Sequence, residues 1–131
     1  MNGIGRAKRI LVVDDDHDIL DLMTIILTQE GFEVEVLDNG YTIIDYVIGN
    51  VPDLIILDLN LGNLDGRDIC DDLKSNVDTQ HIPIVIFSAT YDRLYPNTKK
   101  CDADAFLSKP FELQQLKDEI NGQLTKSALN Q

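Results

Sequence analysis

Apolar residues along this chain come in short solid runs, separated by longer stretches in which they recur every three or four positions. Arg9-Ile10-Leu11-Val12-Val13 is a run of strand length. Behind it, Ile19, Leu22, Met23, Ile26 and Leu27 repeat at helical spacing. This predicts an amphipathic helix up to Glu30, capped by Asp16 and stopped by Gly31. Residues 32–37 alternate as a strand, and Ile43, Ile44, Val47 and Ile48 mark a second helix ending near Gly49. Residues 53–57 carry Leu-Ile-Ile-Leu, apolar on both faces, as in a strand buried within a parallel sheet. A loop with Asn60, Gly62, Asn63 and Gly66 leads to a third helix carrying Ile69, Cys70 and Leu73. Ile84-Val85-Ile86-Phe87 is a fourth strand. Residues 90–104 are polar and interrupted by Pro96, so a fourth helix there is weak. Ala105-Phe106-Leu107 is a fifth strand, and Leu113, Leu116, Ile120 and Leu124 form the seam of a last helix.

Strands alternating with helices predict an α/β fold, a parallel sheet with helices on both faces. The patterned region spans residues 9–124, and residues 1–8 and 125–131 are expected to be flexible tails. A length of 131 residues suits one domain with a single sheet.

Composition narrows the function. The chain is 44% hydrophobic and 26% charged, as globular proteins are, and carries a formal charge of −12. Such acidity argues against direct nucleic-acid binding, which needs clustered Lys and Arg, and against an anionic membrane surface. No apolar run approaches the roughly 20 residues of a membrane span, and the first nine residues do not resemble a signal peptide. Cys70 and Cys101 lack ligand spacing and read as packing thiols, so a reducing cytoplasm is expected. The acidity itself has two readings: solubility, or carboxylates gathered on a cation. Position decides between them.

In a parallel α/β sheet, ligands bind outside the carboxyl ends of the strands. The first strand ends in Asp14 and Asp15, the third in Asp58, the fourth in Ser88 and the fifth in Lys109. The second ends only in a turn, Asp38-Asn39-Gly40. Singly, each residue has an ordinary reading: a helix cap for Asp14-Asp15-Asp16, a turn for Asp58, a capping hydroxyl for Ser88, a solvated amine for Lys109. Phe106 by itself reads as core. Jointly they are a chemical kit. Three neighbouring carboxylates repel and raise one another's pKa values unless a cation neutralises them. A hard divalent cation such as Mg2+ takes oxygen ligands and would accept these. Asp58 could then act as a nucleophile toward a phosphoryl group, with Lys109 and Ser88 facing the phosphoryl oxygens.

These residues sit in motifs that resemble those of response-regulator receiver domains of two-component signal transduction, the CheY-like superfamily. Val12-Val13-Asp14-Asp15-Asp16 resembles its acidic motif, and residues 57–66 its phosphoacceptor loop. Phe87-Ser88-Ala89 resembles its hydroxyl motif, and Phe106-Leu107-Ser108-Lys109-Pro110-Phe111 its lysine motif. The resemblance implies a flavodoxin-like, doubly wound sheet in the order 2-1-3-4-5. It implies Asp58 as phosphoacceptor, with Mg2+ (or Mn2+) held by Asp14, Asp15, Asp58 and the backbone carbonyl of Asn60. It further implies Lys109 and Ser88 on the phosphoryl group, Ser88 and Phe106 as switch residues, and a cis bond between Lys109 and Pro110. The implied phosphoryl donor is a sensor histidine kinase or a histidine phosphotransfer protein; the output is a protein target, with no nucleic acid or membrane contacted directly, from a monomer or weak dimer. Four departures stand out. Gly62 replaces a usual proline, which suggests a looser loop, and Asp102 replaces a usual glycine. Phe106 stands where tyrosine is common, and Pro96 falls in the fourth helix.

The expected function is thus a signalling switch rather than an enzyme with an outside substrate, in a chain carrying the receiver alone or cut from a longer regulator or hybrid kinase. Three rivals remain. A haloacid-dehalogenase-like phosphatase would want Asp where Asn60 stands. A degenerate receiver would lack some of Asp15, Asp58, Ser88 and Lys109. A flavodoxin would carry a Ser/Thr/Gly-rich phosphate loop after the first strand.

Overall fold

The computed structural model describes residues 6–62, 64–88 and 102–129. Seven strands are described: β1 (Arg9–Val13), β2 (Glu33–Leu37), β3 (Leu54–Asp58), β4 (Asn60–Leu61), β5 (Leu64–Asp65), β6 (Ile84–Ser88) and β7 (Ala105–Ser108). Among the described residues the helices are α1 (His17–Gln29), α2 (Ile43–Gly49), α3 (Gly66–Ser75) and α4 (Leu113–Leu129). Five strands pair in parallel in the order β2-β1-β3-β6-β7. With β4 and β5 set aside, this is the 2-1-3-4-5 order of the flavodoxin-like fold. None of the described helices is long and apolar enough to cross a membrane.

Solid apolar strands have a simple cause here, because both faces of the sheet are covered. Leu11, Val13, Ile55, Leu57, Ile84 and Ile86 point to one side and meet Ile43, Val47, Ile69, Cys70 and Leu73 of α2 and α3. Ile10, Val12, Leu54, Ile56, Val85 and Phe87 point to the other and meet Leu20, Met23 and Leu27 of α1 and Leu116 and Ile120 of α4. Successive strand residues face opposite ways, so β1, β3 and β6 each feed both cores.

Helix ends follow local chemistry. The Asp16 carboxylate accepts the N–H groups of Asp18 and Ile19 and caps α1. At the other end Gly31 adopts φ +91°, and the N–H groups of Gly31 and Phe32 close back onto Thr28 and Leu27, which satisfies orphan carbonyls. Leu22, counted within the apolar stripe, instead faces outward, and Leu20 takes the core position.

Ordered backbone runs past both ends of residues 9–124, while residues 1–5 and 130–131 of the expected tails lie outside the described residues. Lys8 is joined to the sheet, its carbonyl accepting the Glu33 N–H at 2.9 Å. The last helix does not stop at Leu124 but continues through Thr125 to Leu129. Adding residues to a formed helix is cheap, and Lys126 and Ala128 are good helix formers. Thr125, Ala128 and Leu129 also line a groove with Phe32 and Leu124, which gives the extra turn a neighbour. The weak fourth helix, with Pro96 and Cys101, falls almost wholly outside the described residues, as does Asn63.

The loop after Asp58 differs from expectation as well. It is a two-stranded antiparallel ribbon, with Asn60 opposite Asp65 and Leu61 opposite Leu64. Gly62 lies at its turn with φ +68°, so glycine here tightens the loop instead of loosening it. Proline, locked near φ −65°, has no access to that conformation. Gly62→Pro is therefore expected to destabilise the fold by roughly 1–3 kcal/mol, read as a lower urea midpoint at unchanged m-value. An unchanged midpoint would show that the ribbon has another way to turn.

Candidate functional site

Parallel pairing brings the carboxyl ends of β1, β3, β6 and β7 to one edge of the sheet. Asp14 directly follows β1 and is tied to β2 through its N–H, which donates to the Leu37 carbonyl at 3.1 Å. Its side chain is fully buried. One carboxylate oxygen accepts the Asp16 N–H at 2.9 Å, and the other accepts the Lys109 ammonium at 2.8 Å. Asp58 closes β3 and is also buried, with its carboxylate 3.6 Å from the same ammonium. Asp15 is exposed at the mouth of the site. One oxygen from each of Asp14, Asp15 and Asp58 lies within 4.8 Å of the others.

This crowding shows in the titration of Asp58, whose pKa is pushed up to about 6. Burial is the main cause; the Lys109 charge partly offsets it, the Asp14 carboxylate adds to it, and the Asn60 N–H, which donates to Asp58, pulls the other way. The ion pair with Lys109 therefore leaves negative charge at the site incompletely compensated. The donor set, hard oxygens around one point, fits a divalent cation.

Lys109 is placed by two contacts besides Asp14 and Asp58. Its backbone N–H donates to the Ser88 carbonyl at 3.2 Å, continuing the β6–β7 ladder in which Ser88 faces Ser108. Its ammonium lies 4.5 Å from the centroid of the Phe87 ring, a cation–π contact. The Lys109–Pro110 bond is cis, as the resemblance implied. Ser88 is buried at the end of β6.

Asn60 enters the site through its backbone. The Gly66 N–H donates to the Leu59 carbonyl at 2.7 Å. In an antiparallel ladder hydrogen-bonded and non-hydrogen-bonded pairs alternate, so Asn60 and Asp65 occupy a non-hydrogen-bonded pair. The N–H and C=O of Asn60 then both face away from β5. The N–H meets Asp58, so the carbonyl lies on that same side.

Of the residues expected at the site, Asp14, Asp15, Asp58, Lys109 and the Asn60 backbone come together, with Ser88 on the adjoining strand end. Phe106 stands apart on β7, 37% exposed. Two further contributors were missed. Phe87 reads in the sequence as one more core residue, yet its ring lies under Lys109. Gly66 reads as a loop glycine, yet it is the first residue of α3, and a Cβ there would strike the Asp58 carbonyl. The adjacent pair Asp65-Gly66 was a usable signal for the helix start, since Asp65 caps α3 by accepting the Arg67 N–H.

Known proteins resemble this chain over nearly its whole length. The family model described as "Response regulator receiver domain" matches residues 10–121. The DNA-binding response regulator MtrA of Mycobacterium tuberculosis is 33% identical over 121 residues, covering 92% of this chain and 52% of that protein. This chain thus spans about half the length of the curated relatives it matches. A crystal structure of a putative response regulator from Chloroflexus aurantiacus is 27% identical, with a TM-score of 0.84, and covers 92% of this chain and 99% of that one. The receiver domain of the sensor histidine kinase PA1611 from Pseudomonas aeruginosa shares the fold at 21% identity and a TM-score of 0.82, covering 92% and 99%; in that protein a magnesium ion is coordinated in the active-site cleft.

The raised Asp58 pKa has a consequence for stability. The folded protein holds this proton up to about pH 6, while the unfolded chain releases it near the ordinary value of 3.8. Below pH 3.8 the group contributes equally to both states; as pH rises from there to about 6 stability is lost, and above 6 the deficit is constant. In metal-free buffer Asp58→Asn is expected to be more stable than wild type at pH 8, by on the order of 1–3 kcal/mol. The gain should vanish below pH 4. Denaturation curves at the two pH values test this, and an equal gain at both would assign it to something other than ionisation.

Proposed function

The chain belongs to the response regulator receiver domain family, and from that premise we propose that it is a phosphoacceptor switch in which Asp58 takes the phosphoryl group. The observation that carries this reading is the convergence of Asp58 with Asp14, Asp15 and Lys109 at one end of the sheet. Asp58 offers a carboxylate oxygen as nucleophile. That oxygen forms a bond to phosphorus as the bond from phosphorus to the donor's histidine nitrogen breaks, and the leaving imidazole takes up a proton from solvent. Lys109 exchanges its present partners for a phosphoryl oxygen, where its charge offsets the charge in transit. The Ser88 hydroxyl donates to another phosphoryl oxygen and reports that the group is present.

The cation is proposed to be Mg2+, with Mn2+ as a substitute, held by Asp14, Asp15, Asp58 and the Asn60 carbonyl. It supplies charge neutralisation and orientation of the phosphoryl oxygens. The donor is proposed to be a sensor histidine kinase or a histidine phosphotransfer protein, and the output a protein that distinguishes the two states. Its turnover is limited to its own phosphorylation and dephosphorylation. The chain's charge of −12 supports a protein rather than a nucleic-acid partner for this domain. Where relatives bind DNA, that activity belongs to proteins about twice the matched length.

Intact mass spectrometry after incubation with acetyl phosphate and Mg2+ tests the reading. Wild type should gain one acid-labile phosphoryl group, and the group should not form when Mg2+ is chelated beforehand or in Asp58→Asn. An unmodified wild type at saturating acetyl phosphate and Mg2+ would count against it. Ser88→Ala should still be phosphorylated, yet show smaller chemical-shift changes far from Asp58, since a two-state protein responds only through differential contacts. Full-sized changes in that variant would remove Ser88 from the readout.

A further inference from the structure

The β4–β5 ribbon that carries Asn60 has two residues in each strand, too few to hold a geometry by itself. Its closed end is anchored by packing. Leu61 is buried, Leu64 packs on the same core, and Gly40 approaches so closely that a Cβ there would strike Ile69 and Leu64. Its open end, where Asp65 faces Asn60, is held by a different device.

The Arg67 guanidinium folds back onto the Asp65 carboxylate. Its Nε lies 3.1 and 3.2 Å from the two oxygens and its Nη2 2.6 Å from Oδ2. The Arg67 backbone N–H takes the same carboxylate at 2.9 Å. The Arg67 side chain is only 12% exposed, so solvent does little to loosen the fork. Residues two apart on a helix do not face each other. This pair forms because Asp65 is the cap, outside the helix, and Arg67 lies in the first turn. A planar fork on a carboxylate fixes orientation as well as position.

We propose that Arg67 is a positioning residue of the cation site. By clamping Asp65 it sets the strand opposite Asn60, and so the direction of the Asn60 carbonyl. The proposal rests on reading that cluster as a cation-dependent acceptor centre.

The test removes the clamp without changing net charge. In Asp65→Asn/Arg67→Gln one negative and one positive group are lost together, and Asn remains a good helix cap. The full chain is titrated with MgCl2 by calorimetry, well below the melting temperature of each variant, and the Asn60 carbonyl carbon is followed by NMR. Wild type should bind Mg2+ with a shift at that carbon. The double variant should bind about tenfold more weakly, the usual scale for groups that orient a metal ligand, with the Asn60 shift reduced. A merely structural role would lower the melting temperature and leave both readouts unchanged. Equal affinity and an equal Asn60 shift would overturn the proposal. Should the double variant fold poorly, Arg67→Lys carries the test, since it keeps the charge and loses the fork; wild-type affinity and shift there would overturn it too. Failure of wild type to bind Mg2+ at all would instead bring down the acceptor-centre reading, and this inference with it.

Discussion

Two buried carboxylates at one end of the sheet, Asp14 and Asp58, set the terms for everything around them. Burying a charge costs far more than burying a neutral polar group unless it is paired. The protein meets this demand with a single ammonium from Lys109, shared unequally at 2.8 Å and 3.6 Å. One positive charge cannot neutralise two negative ones, and Asp15 adds a third at the rim. Asp58 responds by holding its proton to about pH 6. The site is therefore electrostatically unsatisfied, which is the physical condition for attracting a cation.

The rest of the fold keeps that condition from relaxing. Asp14 cannot swing out, because its N–H is tied to Leu37 and its carboxylate to the backbone of Asp16. Asp58 is anchored by a fully buried strand, and Gly66 brings the start of α3 against its carbonyl. Lys109 is steadied by the Phe87 ring and by the ladder to Ser88. Each restraint comes from a different element, so the site depends on the sheet order rather than on any one loop.

Much of this was legible in the residues. The solid apolar strands, the helical repeats of α1 and α4 and the Asp16 cap all lie within a few positions of one another in the chain, and local pattern is enough to read them. The acidic pair, Asp58, Ser88 and Lys109 could be listed because strand ends are visible as the places where apolar runs stop. What local pattern misjudged was governed by neighbours distant in sequence. Leu22 has the right period and faces water, and the last turn of α4 gains a neighbour from Phe32. Gly62, which reads as slack, is the residue that lets a tight ribbon close.

By itself the sequence determined the class of fold, the number of main strands and the chemical types available at their ends, because these follow from side-chain period and from what terminates each run. Tertiary structure alone decided how those groups meet. The 2.8 Å contact joins residues 95 positions apart in the chain. The ring beneath Lys109 belongs to a neighbouring strand, and the facing of Asn60 depends on which ladder positions are hydrogen-bonded. The Asp65–Arg67 clamp arises because a cap lies outside its helix. None of these distances or directions is encoded by spacing along the chain; they appear only once parallel pairing has placed separate strand ends side by side.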